Sequence, residues 1–341
     1  GYILVDNIIR GGYRGKVYPI NPKGGEILGR PAYPSIQDVP DEVDLAVIVI
    51  PAAAIPEVVE ECGRKGVKAL LIISAGFRET GPEGARRERE VVARARKYGM
   101  RILGPNVLGL IDTISSLNAT FATTMARPGE IAFLSQSGAL GSAILDWSQE
   151  EAIGFSHFVS LGNRADVNEV DLLEAWADDP HSKVILAYLE GIADGEAFMR
   201  VARQVTRKKP IIAIKSGTTA AGTRAISSHT GSLAGSERAY EAAFNQTGII
   251  RAESVQDLFD FAEVFAYQPM LRGNRIAIVT NAGGPGILAT DMCERAGLTL
   301  AQFSKETVEA MAPHLPPTAN LYNPVDVIGD AQSDRYRVAL E

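Results

Sequence analysis

His229 is the side chain with the widest chemical reach in this sequence. It lies in Ser227-Ser228-His229-Thr230-Gly231-Ser232-Leu233-Ala234-Gly235, a run of small residues with no apolar periodicity, ahead of a helix expected from near Ser236. An imidazole in such a loop is uncrowded, and its neutral nitrogen is nucleophilic near pH 7. The same spacing suits a plain helix entry, with Ser236 as N-cap and the histidine incidental. In Ser135-Gln136-Ser137-Gly138 an apolar run breaks into hydroxyls and glycine and then enters a helix. Free N–H groups, the positive end of the helix dipole and serine hydroxyls together suit a phosphate, although such turns also cap helices that bind nothing. Glu190 terminates the run Val184–Leu189. A carboxylate there could accept an imidazole N–H and fix its tautomer, or it could simply be solvated. Four further loops follow strand-like runs: Asn21-Pro22-Lys23-Gly24-Gly25, Pro51-Ala52-Ala53, Ser74-Ala75-Gly76-Phe77 and Gly104-Pro105-Asn106. At one sheet edge they would line a crevice fit for a nucleotide-bearing ligand, and ordinary turn chemistry would account for them equally well.

The remaining candidates are plainer. His157 stands just before an expected strand Phe158–Leu161, His181 in a polar turn after Pro180, and His314 among prolines, all read as structural. Cys62 and Cys293 stand alone in helix-like sequence, so neither a disulfide framework nor a metal site is expected. With 41 acidic against 34 basic residues, the chain has no basic surface for nucleic acid or anionic lipid. Apolar runs such as Ala46–Ile50 are far short of the roughly 20 residues that a membrane span needs. The reading is a soluble chain of a reducing cytoplasm. It opens inside an amphipathic stretch without a starting Met and ends in an uncapped helical pattern, Asp334–Glu341, as though both ends were cut.

Positioning these residues falls to an α/β fold. Short β-branched runs, Val17–Ile20, Leu45–Ile50, Ala69–Ser74, Arg101–Leu103, Ile131–Leu134, Val184–Leu189, Ile211–Ile214 and Ile276–Thr280, alternate with helical patterns over Ile55–Lys65, Pro82–Tyr98, Leu140–Glu150 and Ala197–Arg207. That order predicts parallel sheets covered by helices on both faces. Polar stretches at Asn118–Gly129 and Tyr267–Gly273 predict domain cuts, giving 1–118, 119–271 and 272–341. A faint repeat supports them: Ile131-Ala132-Phe133-Leu134-Ser135-Gln136-Ser137-Gly138 returns 145 positions later as Ile276-Ala277-Ile278-Val279-Thr280-Asn281-Ala282-Gly283.

Eight motifs in order carry a family resemblance: Tyr18-Pro19-Ile20-Asn21-Pro22-Lys23, Gly104-Pro105-Asn106, Phe133-Leu134-Ser135-Gln136-Ser137-Gly138, Ser160-Leu161-Gly162-Asn163, Leu189-Glu190-Gly191, Ser228-His229-Thr230-Gly231, Thr280-Asn281-Ala282-Gly283-Gly284-Pro285-Gly286 and Asn323-Pro324-Val325-Asp326. The chain resembles the α subunit of the NDP-forming acyl-CoA synthetases, the succinyl-CoA synthetase superfamily, and within it the ADP-forming acetyl-CoA synthetases. The resemblance implies a Rossmann-like CoA-binding domain followed by two flavodoxin-like domains, the last incomplete. By position it implies that His229 is the phosphorylated histidine and Glu190 its carboxylate partner. It further implies that Ser135, Ser137 and Gly138 hold phosphate and that Lys23, Pro51, Ser74, Ala75 and Asn106 lie on CoA-contacting loops.

The implied activity is that of an acid–thiol ligase: acyl-CoA, phosphate and ADP interconvert with carboxylic acid, CoA and ATP through an acyl phosphate and a phosphohistidine. ADP and Mg would sit on an ATP-grasp subunit or fused domain outside this sequence, in an oligomeric assembly. The family's first strand and glycine-rich CoA loop are likewise outside it. An alternative is the acyl-CoA-binding regulatory region of a multidomain protein acetyltransferase, which the intact Ser-His-Thr-Gly motif opposes. A dinucleotide redox enzyme is disfavoured because no ribose-binding acidic residue can be placed.

Overall fold

The computed structural model describes residues 1–217, 237–269 and 271–341. In it Ile131, Ala132, Phe133 and Leu134 are each 0% exposed, so a run apolar at consecutive positions is covered on both faces, as in a central parallel strand. The chain divides into two units, Gly1–Gln268 and Pro269–Glu341.

In chain order the first unit holds α1 (Tyr2–Arg10), β1 (Glu26–Ile27), β2 (Arg30–Pro31), β3 (Leu45–Ile48), α2 (Ile55–Lys65), β4 (Ala69–Ile72), α3 (Pro82–Lys97), β5 (Arg101–Leu103), β6 (Gly109–Asp112) and β7 (Leu117–Thr120). There follow β8 (Arg127–Ser135), α4 (Gly138–Glu150), β9 (Gly154–Ser160), α5 (Glu169–Trp176), β10 (Val184–Leu189), α6 (Gly195–Val205), β11 (Ile211–Lys215), α7 (Glu237–Thr247), β12 (Ile250–Arg251) and α8 (Val255–Tyr267). Strands β3, β4 and β5 form a parallel sheet, with Leu71 opposite Val47 and Leu103. Ile48, Leu70, Ile72 and Ile102 pack on one of its faces against Ile55 and Val59 of α2 and Val91 and Ala95 of α3. Leu71 and Ile73 pack on the other against Leu4 and Ile8 of α1. Helix α2 has its ends well chosen: Pro56 in the first turn, Arg64 and Lys65 in the last, and Gly66 left-handed at φ 86° as C-cap.

The second sheet runs β12-β11-β10-β8-β9-β6-β7. It is parallel from β12 to β9, and the hairpin β6–β7 joins antiparallel on β9. Phe133, Phe155 and Phe158 pack under α4 and α8, with the rings of Phe133 and Phe158 4.9 Å apart. Leu134, Ile185 and Ala187 face Leu173 of α5, Phe198 of α6 and Phe244 of α7.

Two sequence expectations change here. The hairpin 109–120 pairs with the second sheet, so the cut read from the polar stretch Asn118–Gly129 falls inside β7, where the polar Asn118 and Thr120 are buried. Val17–Ile20 forms no strand, only a bridge from Ile20 to Tyr33, because Pro19 has no N–H to give a ladder.

The second unit holds β13 (Arg275–Ile276), β14 (Val279–Thr280), α9 (Gly283–Arg295), β15 (Thr299–Leu300), α10 (Lys305–Met311), β16 (Val325–Asp326) and α11 (Ser333–Leu340). The expected strand Ile276–Thr280 splits, β13 pairing with β15 and β14 with β16. Between the halves the side chain of Asn323 stands in for a ladder, accepting from Ile278 N at 3.0 Å and donating to Ile276 O at 2.8 Å and Ala301 O at 3.0 Å. Met311, Leu315, Val325 and Val327 form its core.

Gly84 shows how closely α3 is pressed onto the loop after β4: a Cβ there would lie 1.8 Å from the carbonyl oxygen of Phe77. Glycine to alanine inside a helix ordinarily stabilises by about 1 kcal/mol. Gly84→Ala is expected to reverse that sign and cost about 1–3 kcal/mol by overpacking. Chemical denaturation of the purified chain would check this, and a stabilised variant would refute the close contact.

Candidate active site at the carboxyl ends of the strands

Ser135 ends β8 fully buried. Its hydroxyl donates to Ser137 O at 2.7 Å and accepts from Ser137 N at 3.1 Å, closing a tight turn. Ser137 is extended, and its Oγ accepts from Leu140 N at 3.3 Å, capping α4. The first turn of α4 contains no acidic residue, so the positive end of its dipole is not neutralised there. Among the described residues the N–H groups of Gly138 and Ala139 have no protein acceptor. The expected trio Ser135, Ser137 and Gly138 is thus brought together in one turn at a helix start. The repeat is structural as well. Thr280 donates to Ala282 O at 3.0 Å and accepts from Ala282 N at 3.1 Å, the same turn in the second unit.

Glu190 follows β10, and the pairing of Tyr188 with Ser135 sets it two residues beyond the end of β8's neighbouring register. It is half-buried. What fixes it is Gln136, which sequence reasoning passed over as a spacer between serines. Gln136 Oε1 accepts from the N–H groups of Glu190 at 2.7 Å and Gly191 at 3.0 Å, and its Nε2 donates to Gly191 O at 2.9 Å and Glu169 Oε2 at 3.2 Å. Arg164, left-handed at φ 54°, adds Nη1 bonds to Gly191 O at 2.5 Å and Glu169 at 3.2 Å. Strand parity was the available signal: Ser135 and Ser137 alternate with Gln136, which must therefore face the opposite side of the sheet.

Lys215 is a second residue missed. It ends β11 opposite Leu189 and is only 5% exposed. Its Nζ donates to Ser216 O and lies 4.5 Å from the centroid of the Tyr240 ring. Among the described residues no carboxylate approaches it within ion-pair distance. Burial holds its pKa below the usual lysine value, against the raising influence of Glu237 and Glu190. An isolated lysine closing an otherwise apolar run, Ile211–Ile214, was the sequence clue. His229, the expected nucleophile, falls within 218–236, outside the described residues.

Three of the four expected loops interlock at the carboxyl edge of the first sheet. Ser74 Oγ donates to Ile50 O at 2.6 Å, Asn106 N donates to Ser74 O at 3.0 Å, and a Cβ on Gly76 would come within 2.8 Å of that of Ala52. Pro51, Ala75 and Asn106 are exposed there, and Asn106 is left-handed at φ 60°. Lys23 is exposed in a separate turn, its N–H bonded to Asn21 Oδ1 at 3.0 Å. Among the described residues no hydrogen bond joins that turn to the other three loops.

The remaining histidines and cysteines lie elsewhere. His157 stands inside β9, its ring between Asp112 at 3.3 Å and Asp179 at 3.1 Å and stacked on Trp176. His181 is exposed and His314 closes a short 3-10 turn. Cys62 is buried, which pushes its thiol up to about 12. Among the described residues no cluster of His, Cys, Asp and Glu could hold a metal ion, and no helix is long and apolar enough to cross a membrane.

Three stretches of the chain match known protein families. Residues 1–113 match a CoA binding domain, 128–265 a succinyl-CoA ligase like flavodoxin domain, and 276–341 a ligase-CoA domain. The chain is 50% identical over 329 residues to acetate–CoA ligase [ADP-forming] I of Archaeoglobus fulgidus, covering 96% of this chain and 48% of that protein. It is 49% identical over 344 residues to acetate–CoA ligase [ADP-forming] I subunit alpha of Pyrococcus furiosus, covering 100% of this chain and 74% of that subunit. The chain thus spans about half of the first relative and about three quarters of the second. A solved structure, the dinucleotide forming acetyl-coenzyme A synthetase 1 of Ca. Korarchaeum cryptofilum in complex with phosphate and ADP, superposes with a TM-score of 0.93 at 44% identity, over 99% of this chain and 73% of that one. The chain belongs to the NDP-forming acyl-CoA synthetase family, together with the α subunits of ADP-forming acetate–CoA ligases.

Proposed function

We propose that the chain is the acyl-CoA and phosphoryl-transfer part of an ADP-forming acyl-CoA synthetase. It would have a CoA-binding domain, a ligase domain and the start of a second ligase domain, in that order along the chain. The observation that carries the reading is the anion seat, with free N–H groups at the start of α4 next to a Glu190 turn that Gln136 holds by three hydrogen bonds. A relative solved with phosphate and ADP supports it.

Phosphate seated at Ser137 and Gly138 attacks the thioester carbonyl; the C–S bond breaks, CoA leaves as the thiolate, and an acyl phosphate forms. A neutral nitrogen of His229 then attacks phosphorus, the bond to the acyl oxygen breaks, and the carboxylate departs. Glu190 accepts the N–H of the other ring nitrogen and offsets the charge that develops on the imidazole. The small residues around His229 suit a carrier that serves two sites in turn. ADP and Mg belong to an ATP-grasp subunit or fused domain, which takes the phosphoryl group to make ATP. Pro51, Ser74, Ala75 and Asn106 meet CoA at the interlocked loops, and Lys23 meets it from its own turn. Small carboxylic acids and their CoA thioesters are the substrates. The assembly is oligomeric and cytoplasmic.

His229→Asn in the complete enzyme is expected to abolish protein labelling by radioactive phosphate with acetyl-CoA and to abolish ATP synthesis, leaving CoA affinity within about twofold. Labelling that survives the substitution would sink the reading. Gln136→Leu leaves two buried N–H groups unpaired, at about 1–3 kcal/mol each. It is expected to lower kcat by about tenfold or more as the Glu190 turn relaxes. Steady-state phosphorolysis at unchanged kcat would show that Glu190 needs no such clamp.

A further inference from the structure

The interlocked loops and the anion seat belong to different sheets, yet their chemistry has to meet at one carbonyl carbon. Several side chains span the join, Arg78, Glu88 and Arg101 among them, and Glu79 reaches both sides with its two carboxylate oxygens. Glu79 turns Oε1 to the loop after β4, accepting from Gly76 N at 2.5 Å and Phe77 N at 3.0 Å. It turns Oε2 to the second sheet, accepting from Asn163 Nδ2 at 2.6 Å.

Asn163 in turn has every polar atom engaged at 7% exposure. Its N–H donates to Pro105 O at 2.9 Å, its Oδ1 accepts from Asn106 Nδ2 at 3.3 Å, its Nδ2 also donates to Glu88 Oε2 at 2.9 Å, and its carbonyl accepts from Arg78. Just before it, Gly162 is left-handed at φ 53°, and a Cβ there would lie 2.2 Å from Asn106 O, so the two backbones touch. One residue further back, Leu161 N donates to the carbonyl of Ser135 at 2.8 Å. A continuous path therefore runs from Gly76 through Glu79 and Asn163 to the residue that shapes the anion seat. Burial opposes the charge on Glu79, but the donors Asn163, Phe77 and Gly76 outweigh it and hold its pKa below the usual carboxylate value. It therefore bridges as an acceptor on both oxygens at neutral pH.

We infer that Glu79 is a positioning residue that sets the thioester end of CoA against the phosphate at α4, acting through Asn163. The inference rests on the reaction proposed above. Phosphorolysis of the thioester needs both sheets in register, whereas exchange of the phosphoryl group with nucleotide does not involve the CoA loops. A misplacement of about 1 Å between reacting groups costs on the order of a hundredfold. Glu79→Gln keeps the shape of the side chain but cannot accept on both oxygens, so one arm of the bridge must open.

The test uses the complete enzyme with its nucleotide-binding part, acetyl-CoA and inorganic phosphate. Glu79→Gln and Glu79→Ala are expected to lower kcat for phosphorolysis by about tenfold or more, with KM for acetyl-CoA within about threefold and ADP–ATP isotope exchange within about twofold of the unaltered enzyme. Asn163→Ala should have the same effect, and combining it with Glu79→Ala should add little further loss. Unchanged kcat would overturn the inference. So would a KM increase at constant kcat, which would make Glu79 part of the CoA seat alone, or a parallel fall of both half reactions with a lowered melting temperature, which would make it a fold residue. An unaltered enzyme that performs exchange but no phosphorolysis would sink the reaction proposal itself, and the inference with it.

Discussion

Ser135 is fully buried at the end of a central strand, where each polar atom left unpaired would cost about 1–3 kcal/mol. Its hydroxyl is consumed in the turn to Ser137, and its carbonyl by the N–H of Leu161. The next residue, Gln136, is also buried and spends its amide on Glu190 and Gly191. Three chain segments far apart in sequence are located by the need to satisfy two adjacent residues. The start of α4, the loop after β9 and the turn after β10 are therefore held as one rigid piece, and the apolar packing beneath β8 on both faces keeps that piece still. These buried hydrogen bonds tie the strand-end turns to the core.

The features legible in the sequence were those whose physics is local. The strand Val184–Leu189 and the helix Ile55–Lys65 have the bounds read from their patterns, since apolar runs and helix ends are written in neighbouring residues. The turn at Ser135–Gly138 was legible for the same reason. Gln136 and Asn163 were not singled out, because what each amide does depends on partners such as Glu190 and Glu79, more than fifty positions away. Residue type alone makes them turn spacers. The hairpin 109–120 was misplaced because a strand's sheet membership is decided by pairing with β9, which no local pattern encodes. Lys215 reads as an ordinary strand end until α7 brings the ring of Tyr240 against it.

Charge at the strand ends runs against the charge of the whole chain. The chain carries a net charge of -7, so its long-range field repels small anions as well as polyanions. What stands against that field at the strand ends is fixed and short-ranged: the uncompensated start of α4, and two cations withdrawn from water, Arg164 and Lys215. Arg164 is paired with Glu169, whereas Lys215 has only the Ser216 carbonyl and the face of Tyr240 among the described residues. Donors aimed from buried positions are worth more than the same donors in water, and they need no rearrangement when charge develops.

The repeated turn separates what the fold requires from what the site requires. Thr280 and Ala282 reproduce the backbone arrangement of Ser135 and Ser137, with both hydrogen bonds within a few tenths of an ångström. One parallel strand in each unit, β8 and β14, thus ends and enters the next helix by the same device. Yet Ala282 has no hydroxyl to cap α9, and among the described residues the side chain of Asn281 makes no bond like that of Gln136 to a neighbouring turn. The backbone turn is therefore a solution to strand termination that this architecture uses twice. The cap of Ser137 and the clamp of Gln136 are additions made in one copy only. The two copies thus share a backbone device required by the fold and differ in the side chains that build on it.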